Sequence, residues 1–212
     1  MARIIPVYPD RPDIEIVETA VKALSLGELL IYPAETLYGL GVDCENTAAV
    51  ERLFLFKKRD ASKPVPVIAS GPEMVWRYAE KPSAAGMKLI DAFWPGPLTL
   101  VFKAKSAVHA CLTGNTGTIG IRVPDILLPR KLAEYLGKGI TATSANYSGE
   151  QPAWTIWDVP ARLRKAAMLI LHGGILSGAA PSTVVSVIEE RPVIIREGAV
   201  PLESITKCLG VD

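Results

Sequence analysis

The chain has 212 residues, with 23 Lys and Arg against 22 Asp and Glu for a formal net charge of +1, and 49% of its residues are hydrophobic. That length suits one domain whose core needs no disulfide or metal, and the apolar content with near-neutrality excludes a disordered chain. Near-neutrality also argues against a protein whose main work is coating nucleic acid, which usually carries a large basic excess.

From the N-terminus, Ile14, Val17, Val21 and Leu24 share one face of a helix predicted over 13–26, with Asp10 or Asp13 as cap and Gly27 as stop. A short buried strand over 29–32 ends at Pro33. A second helix over 47–56 takes Asn46 as its cap and turns Val50, Leu53 and Phe54 inward. A strand over 65–69 is followed by helical segments at 73–79 and 84–93. The second half is richer in strands, at 98–102, 118–123, 140–143, 168–171, 183–188 and 193–196, with helices at 127–136, 159–167 and 202–209. Strands and helices without strict alternation predict an α/β (α+β) fold, a twisted open mixed sheet flanked by helices. The 17 Pro and 17 Gly are spread through the connections and form no linker, so residues 1–212 read as a single domain.

Cys44, Cys111 and Cys208 are odd in number and far apart, which argues against an oxidised secreted framework. The run Ile4-Ile5-Pro6-Val7 is too short for a signal peptide, and no run of 18 apolar residues exists, so a cytoplasmic protein without a membrane segment is expected. There is no G-x-x-x-x-G-K-[ST] loop and no G-x-S-x-G elbow, and Gly39-Leu40-Gly41 lacks the third glycine of a dinucleotide fingerprint. The two histidines are His109 and His172; His109 and Cys111 could flank a metal, but two isolated candidates make a poor site. With so few histidines, chemistry is expected to rest on positioning and charge.

Three segments put polar residues where a fold would prefer apolar ones. The stretch from Tyr32 to Gly41, YPAETLYGLG, directly follows a strand, where open α/β sheets usually bind ligands; a plain Pro/Gly turn explains it equally well. Lys57, Lys58, Arg59, Asp60 and Lys63 cluster at a helix end. Cations there complement the helix dipole, which accounts for Lys57 and Lys58. It accounts less well for Arg59 and Lys63, on a loop entering a buried strand, where converging cations suit polyphosphate. The third segment, Thr141 to Gly149, passes from strand into hydroxyls and an amide that could donate to phosphate or ribose, or could simply form a turn. Arg122, Ser182-Thr183 and Arg196 add polar groups at strand ends.

Together these segments resemble the YrdC/Sua5 family of threonylcarbamoyl-AMP synthases over about residues 13–198. The matching pieces are YPAETLYGLG, Lys57-x-Arg59 with Lys63-Pro64, FWPGPLTLVF, GTIGIRVPD, TSANYSGEQPA, PSTVV and IIREGAV. Each is weak alone, whereas seven in this order are specific. The resemblance implies a sheet with a deep basic groove, and a reaction of L-threonine, bicarbonate and ATP giving threonylcarbamoyl-adenylate and pyrophosphate. That is the first step toward the t6A modification of tRNA, with a threonylcarbamoyl transferase complex downstream.

By motif position the resemblance implies that Thr36, Arg122 and Ser182 hold threonine, with Arg122 on its carboxylate. It implies ATP contacts from Arg59, Lys63, Thr118, Ser144, Asn146 and Arg196, with the backbone around Ala142 and Pro152. Lys57 and Arg59 would be the catalytic cations. A carbamate oxygen attacking the α-phosphorus needs two anions brought together, which cations and Mg²⁺ supply without a protein nucleophile. The Mg²⁺ would ride on the phosphates, with no metal ligand from the protein.

The sequence departs from the family pattern in four ways. Ala34 stands where the family has Thr, and Lys57-Lys58-Arg59-Asp60 replaces Lys-Gly-Arg-Pro. Two-domain members carry a His near Ile68 that touches threonine, and the chain ends at Asp212 without their additional domain, so it resembles the short form. Two rival readings keep the fold: a carbamoyl-transfer domain using carbamoyl-phosphate, for whose companion modules 212 residues leave no room, and a non-catalytic double-stranded RNA-binding module. RNA contact in the basic groove is weakened as a main role by the net charge and the few aromatics.

Overall fold

In the computed structural model, which describes residues 2–210, strand β1 (Arg3–Pro6) leads to helix α1 (Ile14–Ser25). Asp13 caps α1 by accepting the Glu15 N–H at 2.9 Å, and Val17, Ala20 and Leu24 turn into the core. Strands β2 (Leu30–Pro33) and β3 (Tyr38–Gly41) form an antiparallel hairpin, closed where the Ala34 N–H donates to the Leu37 carbonyl at 3.1 Å. Helix α2 (Thr47–Lys57) is capped by Asn46, whose side chain accepts from the Ala49 N–H at 3.0 Å. Then come β4 (Val67–Ile68), α3 (Pro72–Val75), α4 (Ala84–Phe93), β5 (Leu98–Lys103) and α5 (Ala110–Thr113). The second half runs β6 (Thr118–Arg122), α6 (Leu127–Leu136), β7 (Ile140–Thr141), β8 (Thr143–Ser144) and α7 (Ala161–Ala166). It closes with β9 (Leu169–His172), β10 (Thr183–Ser186), β11 (Val193–Arg196) and α8 (Leu202–Leu209). Among the described residues, no helix is long and apolar enough to cross a membrane.

The mixed α/β character is as expected, but the strands fall into two mixed sheets. One has the order β1-β9-β2-β3-β8, the other β11-β10-β5-β6-β4-β7. The segment expected as one strand over 140–143 is the hinge between them. Thr141 belongs to β7, antiparallel to β4, whereas Thr143 belongs to β8, antiparallel to β3. Ala142 sits at the crossing, its N–H donating to the Pro66 carbonyl at 2.7 Å.

Pleating gives β2 two buried faces. Ile31 faces a core cluster that also holds Leu40, Val67, Leu100, Ile121 and Val185, drawn from both sheets. Leu30 and Tyr32 face a second cluster with Leu128 and Leu132 of α6, Val17 and Leu24 of α1, and Ile140. Two strands were not expected. β1 pairs in parallel with β9, more than 160 residues away, which no local pattern reveals. β3 reads as a turn because of its glycines, yet it is a buried strand. A Cβ on Gly39 or Gly41 would meet the Tyr32 ring at 3.0 and 2.8 Å, so glycine is required for the tyrosine to lie across it.

Candidate functional site

Two groups of expected site residues are held by hydrogen bonds. At the C-terminal end of β6, the Arg122 Nε donates to the Gly96 carbonyl at 2.9 Å, and its Nη2 pairs with the Glu35 carboxylate. Glu35 precedes Thr36 in the β2–β3 turn, and the Thr36 carbonyl accepts the Gly178 N–H at 3.1 Å. Beside them the Pro97 carbonyl accepts the Thr183 N–H at 3.1 Å, which fixes the entry to β10. The Ser182 Oγ lies 2.8 Å from the Thr99 Oγ1, and the Ser182 carbonyl accepts from Arg196 Nη2 at 2.7 Å. Thr36, Arg122 and Ser182 are thus tied to one end of the β6-β5-β10 array.

Both partners of the Arg122–Glu35 pair are shielded, their side chains 16% and 23% exposed. Burial pulls the guanidinium below its usual range while Glu35 opposes that shift. The Tyr32 hydroxyl donates to the Thr141 carbonyl at 3.2 Å, and its ionisation is pushed far up by burial and then by Glu35. The end of β6 therefore combines a fork-shaped cation, a carboxylate and hydroxyls in a poorly hydrated setting, which suits a zwitterionic amino acid.

The second group surrounds the end of α2. Lys57, expected to complement the helix dipole and by resemblance to serve as a catalytic cation, is 1% exposed. Its Nζ donates to the Asn146 carbonyl at 2.8 Å and to the Ser144 carbonyl, so it holds the 144–146 segment against α2. Burial, and then the charge of Arg59, push its pKa down to about 7. Ser144 Oγ and Asn146 Oδ1 bond one another, and the Asn146 Nδ2 donates to the Glu150 carbonyl at 2.6 Å.

Lys58 takes the left-handed conformation (φ 50°) at the C-cap of α2, the conformation that the glycine of the family pattern adopts freely. Arg59 donates from Nε to the Lys63 carbonyl at 3.1 Å and from Nη2 to the Pro64 carbonyl at 2.7 Å, folding the basic loop on itself. Asp60 is exposed beside the basic loop, and its Oδ1 accepts the Ser62 N–H at 2.9 Å, a bond that pulls its carboxyl below the usual range. Lys63 is exposed, and Pro152 is half-buried beside Ala153, whose carbonyl accepts the Tyr38 N–H at 2.8 Å.

Not all expected residues converge. Thr118 opens β6, about 13 Å from Arg122 at the strand's rise per residue, and its hydroxyl meets that of Thr116 at 2.8 Å. Arg196, assigned to ATP, is bonded to Ser182 on the threonine side. Ile68, near which the family resemblance puts a His in two-domain members, is opposite Arg122 in the β4–β6 register but buried in the second core. Sequence reasoning missed two residues: Glu35 as the partner of Arg122, and Thr99 as the partner of Ser182. Thr99 carried a signal, a buried polar residue within an apolar strand.

A family model named Sua5/YciO/YrdC and described as "Telomere recombination" matches residues 22–198. The chain is 37% identical over 185 residues to a threonylcarbamoyl-AMP synthase of Pyrococcus abyssi, covering 87% of this chain but 54% of that protein. It is 36% identical over 169 residues to one from Vibrio vulnificus, covering 79% of this chain and 91% of that protein. The structure of P. abyssi Sua5 complexed with L-threonine superposes with a TM-score of 0.91 at 33% identity, covering 98% of this chain and 61% of that one. This chain therefore spans just over half of the P. abyssi protein and most of the Vibrio one. With a match running from α1 to the strand that carries Arg196, the chain belongs to the Sua5/YciO/YrdC family.

Proposed function

We propose that this chain is a threonylcarbamoyl-AMP synthase, forming threonylcarbamoyl-adenylate and pyrophosphate from L-threonine, bicarbonate and ATP for t6A modification of tRNA. The observation that carries this reading is the Arg122 fork, shielded beside Glu35 and Thr36 and next to Ser182, in a chain similar to a Sua5 bound to L-threonine. Arg122 would take the threonine carboxylate, displacing Glu35. Thr36 and Ser182 would meet the remaining polar groups of the amino acid.

The threonine amine, as its carbamate, would then offer an oxygen to the α-phosphorus while pyrophosphate leaves in line. Arg59 and Lys63 would bind the phosphates from the basic loop. Ser144 and Asn146, with the backbone at Ala142 and Pro152, would receive the nucleoside. Lys57 would act through Ser144 and Asn146, as the strut that positions their segment. Mg²⁺ would enter with ATP: the groups assembled are cations, hydroxyls and an amide, with Glu35 engaged by Arg122, so phosphate oxygens are its natural ligands. It would polarise the leaving pyrophosphate. A threonylcarbamoyl transferase acting on tRNA would consume the adenylate, in the cytoplasm.

The decisive experiment incubates the purified chain with ATP, Mg²⁺, bicarbonate and labelled L-threonine. Threonine-dependent pyrophosphate release with a labelled adenylate is expected. Its absence, or activity with carbamoyl-phosphate in place of bicarbonate and threonine, would overturn the reading.

A further inference from the structure

We propose that Glu51, His109 and Cys111 form a binding site for a zinc-class divalent cation that clips α2 to α5 beside the basic loop. In the sequence His109 and Cys111 have no third donor near them; the fold supplies one. Glu51 lies on α2, His109 caps α5 and Cys111 is in its first turn. One ligand atom from each lies within 4.8 Å of the other two. Tetrahedral zinc, with bonds of about 2.0 Å to N and O and 2.3 Å to S, needs ligand atoms roughly 3.5 Å apart. Glu51 is exposed, while His109 and Cys111 are partly buried; binding zinc would require the three ligand atoms to draw together by about 1 Å.

The donor set decides the metal class. A carboxylate oxygen, an imidazole nitrogen and a thiolate sulfur favour zinc over Mg²⁺ or Ca²⁺, which prefer oxygen alone. Three protein ligands leave the fourth position to water. Binding requires the Cys111 thiolate, so one proton passes from the thiol to solvent. The His109 Nδ1 accepts the Cys111 N–H at 3.3 Å, so this nitrogen presents its lone pair, and a metal bond at Nδ1 would take the place of that long hydrogen bond. His109 also lines a cavity of about 370 Å³ with Glu45, Thr47 and Tyr78.

The location assigns the consequence. The Leu112 carbonyl of α5 accepts the Val65 N–H at 3.1 Å, and a Cβ on Gly114 would meet the Ser62 carbonyl at 2.4 Å. So α5 props the loop that carries Arg59 and Lys63, and α2 delivers that loop from its other side. An ion held by Glu51, His109 and Cys111 joins the two supports. Its role is structural, and it stands apart from any Mg²⁺ brought by ATP.

The test uses the untagged, chelator-stripped full chain, with Co²⁺ as a spectroscopic probe and Zn²⁺ for calorimetry and thermal unfolding. One equivalent of Zn²⁺ is expected to bind and to raise the unfolding temperature. Co²⁺ is expected to give a thiolate charge-transfer band with the intense visible bands of four-coordination. Cys111→Ser should abolish the band, and His109→Ala and Glu51→Gln should weaken Zn²⁺ binding by at least about tenfold. Cys208→Ser and His172→Ala should change neither. A wild-type Co²⁺ spectrum without the thiolate band overturns the proposal whatever the variants do. So does binding that survives Cys111→Ser. Pyrophosphate release by the stripped chain reads the catalytic assignment separately.

Discussion

At the residue scale, the proposed site would work by substitution of one anion for another. Glu35 sits on Arg122 where the carboxylate of the amino acid is proposed to go, so the two compete. Replacing Glu35 by Gln removes the competing charge and is expected to lower the KM for threonine several-fold; a raised KM would mean that Glu35 serves to hold Arg122 in place. Arg122→Lys keeps the charge but loses the fork that reaches Gly96 and Glu35 together. Threonine KM should then rise at least tenfold while ATP KM changes little, as initial rates in each substrate will tell. Lys57 makes a different prediction. Its folded pKa of about 7 lies below its ordinary 10.5, so between those values the unfolded chain binds more protons and stability rises with pH. Below about 7 both states are protonated and the contribution is flat. Lys57→Met abolishes this slope and leaves the Ser144 and Asn146 carbonyls without their donor, a cost of about 1–3 kcal/mol. Urea titrations across the window will read both, and equal slopes for the two proteins would contradict the burial argument.

At the element scale, the site is a set of strand ends and one loop held by neighbours, which decides what the sequence could disclose. Helices α1, α2, α4, α6 and α8 were legible because caps and apolar faces are local: Asp13 and Asn46 bond the N–H groups expected of them. The strand β3 was not, because Gly39 and Gly41 are present for the Tyr32 ring, a contact invisible in a linear pattern. The break at Ala142 was hidden for a similar reason, since Thr141 and Thr143 answer to different sheets. Polar residues at the ends of apolar runs singled out Arg122, Ser182 and Arg196, the last two of which the fold bonds together, whereas the burial of Lys57 depends on a partner segment almost ninety residues away. The basic loop depends on α5 in the same non-local way. Gly114, at φ +57°, is in a conformation that favours glycine, and its would-be Cβ collides with the Ser62 carbonyl. Gly114→Ala should therefore shift the loop that carries Arg59. An ATP KM raised several-fold with threonine KM unchanged is expected, together with a stability loss of about 1–3 kcal/mol. Unaltered ATP kinetics in the folded variant would detach α5 from the phosphate site.

At the scale of the whole molecule, neutrality overall is compatible with the proposed anionic substrates because several acids are paired with cations of their own. Glu35 faces Arg122, and Asp43 and Glu45 pair with Lys138 and Arg77. Arg59 and Lys63 have no carboxylate partner within ion-pair distance among the described residues, which leaves the loop its positive character. The two sheets are joined by more than the Ala142 crossing, since one core cluster takes Ile31 and Leu40 from the first and Leu100, Ile121 and Val185 from the second. Unfolding either sheet would strip that shared surface from the other. Far-UV circular dichroism should therefore coincide in urea with tryptophan fluorescence, which includes the largely buried Trp94 at the entry to the second sheet. Two separated transitions would instead mean that the sheets fold as independent units. Ligands sharpen the test. Arg122 belongs to the second sheet, while Thr36 in the β2–β3 turn and Ser144 in β8 belong to the first. Threonine with ATP at about a hundred times their dissociation constants should move the single transition as a whole, by roughly 2.7 kcal/mol for each site filled. A shift confined to one probe would place the binding energy in one sheet and refute a site built across both.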